Sequence, residues 1–506
     1  MSYIVDILLT DLRHTIADLG KQGGRQSASV YNTAQVIRFA TDNSDPWPAL
    51  DWILTQQHAD GGWGSPAVPH ARDVPTLTAI LALHRHAVRR STREAIQGGI
   101  NFLRRRTSIW SGPLPDDLPA GIELILPRLL EDPAAEELGV FAPAYTSLIA
   151  LGKKRRAMIE RITLQRGTTP VHSWEAFGTI ADPALIDGSG GVGHSPSSTA
   201  AWLWAASKHP DLADACNSAR RYLAFASTAT GSAIPGLMPS NWPTDRFEQC
   251  FSLHALLLGD LLAHPAIQDV LQPQLDTLAK AMLPTGLGFS DYFEADGDDT
   301  AAAIAVLHER GSSVPISVLL RFQVDNHFVA WHNELQQSLS VTARAAHTLH
   351  RQGYNADAPL GHLCQFQLSD GRWETDKWHG SWLYSTSLAI IALAEAAWYT
   401  PMEAAVKSLL AYQLPAGGWS TNEQYTQSDT ALAVLALLAV KRAGALQPHG
   451  DAALQLASRA MLDHYRPFTS TGPYYWMAKE TYYPPRIERA FELSAMMGLV
   501  KEGYMP

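Results

Sequence analysis

Long apolar segments with few charges recur along the chain: residues 251–265 read FSLHALLLGDLLAHP, 386–398 read TSLAIIALAEAAW, and 428–444 read SDTALAVLALLAVKRAG. Sustained alternation with a period of two is absent, so the pattern predicts helix almost throughout. Several of these segments are apolar on more than one face, which suits helices packed between two layers. The expected fold class is therefore all-α, a toroid or barrel. A shorter pattern, Gln-x3-Gly-x-Trp, occurs at Gln57/Gly61/Trp63, Gln367/Gly371/Trp373 and Gln413/Gly417/Trp419, the last two copies 46 residues apart. That period fits two packed helices and a turn, the unit of an α/α barrel. Glycine supplies the left-handed residue of a helix-ending turn, the glutamine amide bonds freed backbone groups, and tryptophan seals the gap between neighbouring helices.

With 506 residues the chain has ample length for large cores. Charged residues are only 17% while tryptophan numbers 15, so much aromatic surface must be buried. The net charge of −10 disfavours nucleic acid as a partner. Cys216, Cys250 and Cys364 are too few and scattered for a disulfide framework or thiolate zinc site, which predicts a reducing cytoplasm. The opening MSYIVDILLTDLRHTIADLG mixes acidic with apolar residues, so neither a signal peptide nor a transmembrane segment is expected. Gly188 to Gly193 satisfies Gly-x-Gly-x-x-Gly, but the preceding strand is too short and Pro196 follows too soon for a dinucleotide fingerprint.

The densest acidic site is Asp296-Gly297-Asp298-Asp299-Thr300, between the loop GLGFSDYFEA and a helix beginning AAAIAVL. Asp299 or Thr300 as a helix N-cap would account for one acid and not three. A calcium loop needs an acid where Leu307 stands, and an aspartate-rich magnesium motif needs one at Ala302. Acid catalysis remains. Crowded carboxylates in apolar surroundings hold a proton above the usual range, while a helix N-terminus favours ionisation of the nearest one; the result is a neutral donor beside an ionised partner.

Asp-x-Asp-Asp upstream of these repeats resembles the class II terpene cyclases, and most closely the bacterial diterpene cyclases of the copalyl diphosphate synthase type. Supporting stretches include SVYNTA (29–34), GIELILP (121–127), HSWEAFG (172–178), WPTDRFEQCFSL (242–253), DKWHGSWLYST (376–386) and WMAKETYYP (476–484). The resemblance implies two α/α-barrel domains, a β domain from residues 1–25 plus 270–506 and an inserted γ domain from 26–269, with the active site between them. It implies protonation-initiated cyclisation of geranylgeranyl diphosphate to a bicyclic labdane-type diphosphate with the diphosphate retained, the ent-copalyl product being preferred. Rearranged halimadane or clerodane skeletons and C15 drimenyl products are the alternatives. A downstream class I diterpene synthase would consume the product, and the enzyme would be a monomer or homodimer.

Residue by residue, the resemblance makes Asp298 the general acid, with Asp296 and Asp299 positioning its proton. His172 and Asn241 match a pair that holds the deprotonating water, although the stretch Pro239-Ser240-Asn241-Trp242-Pro243 departs from the family pattern. Thr342 stands where many relatives place an asparagine against the catalytic aspartate. Lys377 matches a diphosphate-binding lysine, and Asp116, Asp117 and Glu123 fall where relatives carry acids linked to Mg2+. Because a carbocation must be kept dry and is stabilised by aromatic faces, Trp242, Trp373, Trp378, Trp382 and Tyr384 are candidate lining residues. Rival readings are an α/α-barrel carbohydrate enzyme and a helical-repeat binding protein whose aspartates merely cap a helix.

Overall fold

The computed structural model describes residues 3–40, 45–110, 112–115, 118–140, 142–332, 334 and 336–505. It is all-α, as the apolar pattern predicts, with short two-stranded hairpins as the β-structure among the described residues. Helix α1 (Tyr3–Asp18) is followed by α2 (Val30–Arg38), α3 (Asp73–His84), α4 (Ile122–Leu130) and α5 (Pro196–Ala206). Then come α6 (Asp245–Leu258), α7 (Gly297–Glu309), α8 (Leu339–Arg351), α9 (Trp382–Glu395), α10 (Gln427–Arg442) and α11 (Pro485–Lys501).

Helices α6 to α11 each pack on the next, and α11 returns to α6, closing a ring. Around it run the intervening helices, Gln268–Ala281 against α6, Asp357–Gln365 against α8, Tyr399–Ala411 against α9 and Pro448–His464 against α10. Helix α1 completes that outer layer against α11, which joins the chain's start to its end. Inner helices touch neighbours on every side, and this explains their uninterrupted apolar runs: residues 382–394 of α9 and 428–440 of α10 are all buried. The second barrel is smaller, a ring of α2, α3, α4, the turn Trp174–Ala176 and α5.

The sequence places the domain boundary after residue 269. The core around α1 instead takes in Phe247 to Leu278, because α6 closes the first ring between α7 and α11. We therefore propose that the inserted domain ends near residue 245.

The Gln-x3-Gly-x-Trp copies make one circuit three times. Trp63, Trp373 and Trp419 each donate an indole N–H to a carbonyl of the preceding outer helix, at Ile53 (2.7 Å), Leu363 (2.8 Å) and Leu409 (2.8 Å). Their backbone N–H groups donate to Thr76, Thr386 and Thr430 on the following inner helix. Gln57, Gln367 and Gln413 donate to the carbonyl of the repeat glycine and to Ala95, Pro401 and Ala453 at the next outer helix. Gly371 has φ +97°, and a Cβ there would lie 2.3 Å from the Ala404 carbonyl oxygen. Gly371→Ala is expected to cost about 2 kcal/mol or more in urea unfolding. Gly444→Ala, with a positive φ but open space around it, should cost only about 1 kcal/mol by the same measurement.

Candidate active site

The acid cluster occupies the first turn of α7. Asp296, not Asp299 or Thr300, is the N-cap: its Oδ1 accepts from the backbone N–H of Asp298 (2.9 Å) and of Asp299 (2.7 Å). Thr300 is spent elsewhere, accepting from Leu287 N–H at 2.9 Å. With the cap in place, Asp299 turns into the barrel, where Cys250 Sγ lies 3.4 Å from its Oδ1. Asp296 and Asp299 are sealed from solvent and each keeps an Oδ2 without a partner among the described residues. Asp298 retains 13% of its side-chain surface and is the most open of the three.

Burial first, and then the Asp298 charge, pushes Asp299 up to about 7. Burial and the Asp299 charge hold Asp296 well above the carboxylate range. The two therefore share a proton at neutral pH, and its loss belongs to the pair. Since the folded state keeps this proton where free aspartate has lost it, stability conferred by protonation is lost as pH rises from 3.8 to about 7. A reaction that draws on this proton is expected to slow above pH about 7, with a slope near tenfold per unit in a kcat–pH profile.

Asp298 is raised by its burial, and Arg344 opposes the rise. Arg344, to which no motif in the sequence points, is the partner of this acid. It is wholly buried on α8, pairs through Nη1 with Asp298 Oδ1, and donates from Nη2 to the Tyr384 hydroxyl at 2.6 Å. Its guanidinium carbon sits 4.4 Å from the Phe251 ring centroid. The signal was a lone arginine inside the Ala-rich run LSVTARAAHTL. Thr342 does not touch the acid; it binds the Phe328 backbone and closes a turn in the manner of the repeat threonines.

A cavity of about 430 Å³ lies between the two barrels. Trp378 lies on its wall, with Phe289, Phe293, Trp331 and Tyr482 as the other aromatic walls. These rings touch one another, Phe289 to Trp331 at 5.6 Å and Trp331 to Trp378 at 5.4 Å between centroids. The remaining candidates do not line the cavity. Trp373 is consumed by its repeat circuit; Trp382 packs on Tyr412 and Arg372; Trp242 packs on Tyr222 and donates to the Gln22 carbonyl. Tyr384 lies beside the acid through Arg344. Asp298 is not on the cavity wall either, but Tyr482, which is, feels both Asp299 and Tyr384.

The cavity also holds charge. Asp376 pins the loop before α9 by accepting from Ser338 Oγ (2.9 Å), Ser340 N–H (3.0 Å) and Trp378 N–H (3.0 Å), which sets Lys377 on the wall. Lys377 Nζ pairs with Glu334 at 2.5 Å, and both side chains are buried. From the second barrel come Glu123, His172 and Asn241, so the structure brings these three and Lys377 to one space. Burial raises Glu123, whose carboxylate lies 3.7 Å from Arg155. Asp116 and Asp117 lie outside the described residues. Among the described residues no three acidic, histidine or cysteine side chains converge to cage a metal. No helix among them is long and apolar enough to cross a membrane.

No family model matches the chain. It is 47% identical to (+)-kolavenyl diphosphate synthase of Herpetosiphon aurantiacus, with 99% of each chain covered. It is 28% identical to ent-copalyl diphosphate synthase of a Streptomyces species over 92% of this chain and 91% of that one. The solved structure of ent-copalyl diphosphate synthase from Streptomyces platensis superposes with a TM-score of 0.80 at 27% identity, covering 97% of this chain and 98% of the other.

Proposed function

The chain belongs to the class II diterpene cyclases, and from that footing we propose that it protonates and cyclises geranylgeranyl diphosphate to a bicyclic diphosphate without releasing the diphosphate. The observation that carries the reading is Asp298: the most open carboxyl of a proton-holding buried cluster whose Asp299 charge is felt by Tyr482, a wall residue of the aromatic cavity between two barrels. Asp298 Oδ2, outside the ion pair, takes up the proton held by the Asp296/Asp299 pair and delivers it to the terminal alkene. The carboxylate left behind is held by Arg344, and Asp296 and Asp299 supply the replacement proton. Phe289, Phe293, Trp331 and Trp378 offer ring faces to the cation and no lone pair strong enough to trap it.

Lys377 is proposed to bind the diphosphate, helped by the indole N–H groups of Trp331 and Trp378, which have no partner among the described residues. Mg2+ habitually takes one or two carboxylates and completes its shell with phosphate oxygens and water; Glu123 fits as such a ligand, and the ion would neutralise the diphosphate. His172 and Asn241, on the same wall, are proposed to take the proton that ends the reaction. Because the diphosphate is retained, the product suits a class I diterpene synthase as its consumer.

The similarity to the kolavenyl diphosphate synthase favours a rearranged, clerodane-type product, and the copalyl diphosphate synthases support the unrearranged labdane skeleton as the second reading. Enzyme incubated with geranylgeranyl diphosphate and Mg2+, then phosphatase, is expected to yield a bicyclic alcohol matching kolavenol by mass spectrometry. Copalol would select the second reading, and geranylgeraniol alone would overturn both.

A further inference from the structure

Strands Trp476–Met477 and Thr481–Tyr482 form a hairpin of the first barrel whose tip enters the second. Charges at a hairpin tip ordinarily face water. Here both are sealed, Lys479 at 0% and Glu480 at 2% exposure. Lys479 Nζ donates to Glu175 Oε1 (2.6 Å), Ser195 Oγ (2.6 Å) and Ser197 Oγ (3.0 Å), which uses its full donor capacity. Glu175 also accepts from Tyr31 OH at 2.7 Å and contacts Ser198 Oγ. Ser198 Oγ in turn lies 2.7 Å from the backbone carbonyl oxygen of His172. The chain of contacts thus ends on a residue of the cavity wall.

His172 Nδ1 is 2.7 Å from the Gly193 carbonyl oxygen. A carbonyl only accepts, so Nδ1 carries the hydrogen and Nε2 keeps its lone pair. Burial and the Lys479 charge push the imidazole down to about 3, against the smaller pull of Gly193 and Glu175; His194 adds to the depression. An ion pair this deep costs desolvation that an apolar pair of equal volume would avoid, so its place beside His172 calls for a role beyond packing.

We infer that Lys479 is a positioning residue of the cyclisation: through Glu175 and Ser198, whose one hydroxyl hydrogen serves both Glu175 and the His172 carbonyl, it holds the His172 backbone in place, while the Gly193 carbonyl keeps the ring the neutral Nδ1–H tautomer whose Nε2 receives the terminating proton. In that step a C–H bond next to the cationic carbon breaks. Its electron pair becomes the new alkene, and the proton passes to Nε2, directly or through one water, and on to solvent. The inference rests on the cyclase reading, and the wild-type product separates the two: if wild type yields no cyclic diphosphate the reading fails, whatever Lys479 does.

The test uses the full chain, wild type and Lys479→Met, with the His172 imidazole followed by 15N NMR and assigned from His172→Gln. Followed from pH 8 down to pH 4, wild-type His172 is expected to remain almost wholly the neutral Nδ1–H form, given a value of about 3, whereas a group raised by about one unit is half protonated at pH 4. In Lys479→Met, which leaves the Glu175 charge unopposed, its titration should rise by at least about one unit. The ratio of alkene to water-captured, hydroxylated diphosphate should fall about fivefold or more. Lys479→Arg, which keeps the charge, should restore both readouts. Should Lys479→Met fail to fold, Ser198→Ala decides: it cuts the link to the His172 carbonyl and should lower the same ratio about twofold. A folded Lys479→Met with wild-type titration and products overturns the inference, as does an unchanged ratio in Ser198→Ala where Lys479→Met does not fold.

Discussion

Asp298→Asn is expected to lower cyclisation of geranylgeranyl diphosphate by about 10³-fold or more while leaving the melting temperature within a few degrees of wild type. The amide is isosteric with the acid and still accepts from Arg344, so the first turn of α7 keeps its geometry. The cap is untouched, because Asp296 and not Asp298 supplies it. What disappears is the one transferable proton on an oxygen outside the ion pair. An alkene is a very weak base, and water cannot replace this donor in a cavity lined by Phe289, Phe293, Trp331 and Trp378. Single-turnover kinetics with substrate binding measured separately are the check. The loss should fall on kcat with KM little changed, since the amide keeps the shape of the acid and removes only a proton that moves in the transition state. Retained turnover would remove Asp298 from the acid role.

Arg344→Met is expected to lower kcat by about 10²-fold or more. The guanidinium is wholly buried and its charge is spent on Asp298 and the Tyr384 hydroxyl. It works on both sides of proton transfer. Before transfer it opposes the rise that burial imposes on Asp298, making the neutral carboxyl a stronger acid. After transfer it holds the new carboxylate in a largely buried site, which is stabilisation realised as the charge develops. Removing it lets burial raise Asp298 further, so the acid stays protonated yet gives its proton up less readily. Breaking a buried pair from one side also costs about 3–5 kcal/mol. Thermal unfolding must therefore accompany the kinetics. Arg344→Lys keeps the charge but cannot serve Asp298 and Tyr384 as a planar fork, and an intermediate rate is expected. Since the two residues act as a unit, Asp298→Asn/Arg344→Met should be about as slow as Asp298→Asn alone.

The sequence made some of this plain and hid the rest for identifiable reasons. The barrel was legible because inner helices such as α9 and α10 are apolar on all sides and because the Gln, Gly and Trp of each repeat sit at fixed spacing. The acid motif was legible for the same reason: its chemistry is local, within one helical turn. Equivalent turns at Leu287/Thr300 and Phe328/Thr342 passed unseen, since there the threonine bond survives without the glutamine and tryptophan that mark the other copies. The cavity wall was the hardest part. Trp373 and Trp382 look like lining residues in a string of aromatics, yet one is drawn into its repeat and the other faces the outer layer. Phe289 and Phe293 come from the loop leading into the acid motif, and Tyr482 from the hairpin, so only the three-dimensional closure of two barrels brings them together. Arg344 lies 46 residues beyond Asp298 in sequence, and no local pattern joins them.

The central claim is that a proton added by this chain starts ring closure while the diphosphate stays attached. Turnover of geranylgeranyl diphosphate by purified enzyme in D2O with Mg2+, followed by mass spectrometry of the intact product and an assay for inorganic diphosphate, tests it directly. The account predicts a bicyclic diphosphate carrying one deuterium from solvent and no release of inorganic diphosphate. A product without deuterium, or stoichiometric release of diphosphate, would contradict it.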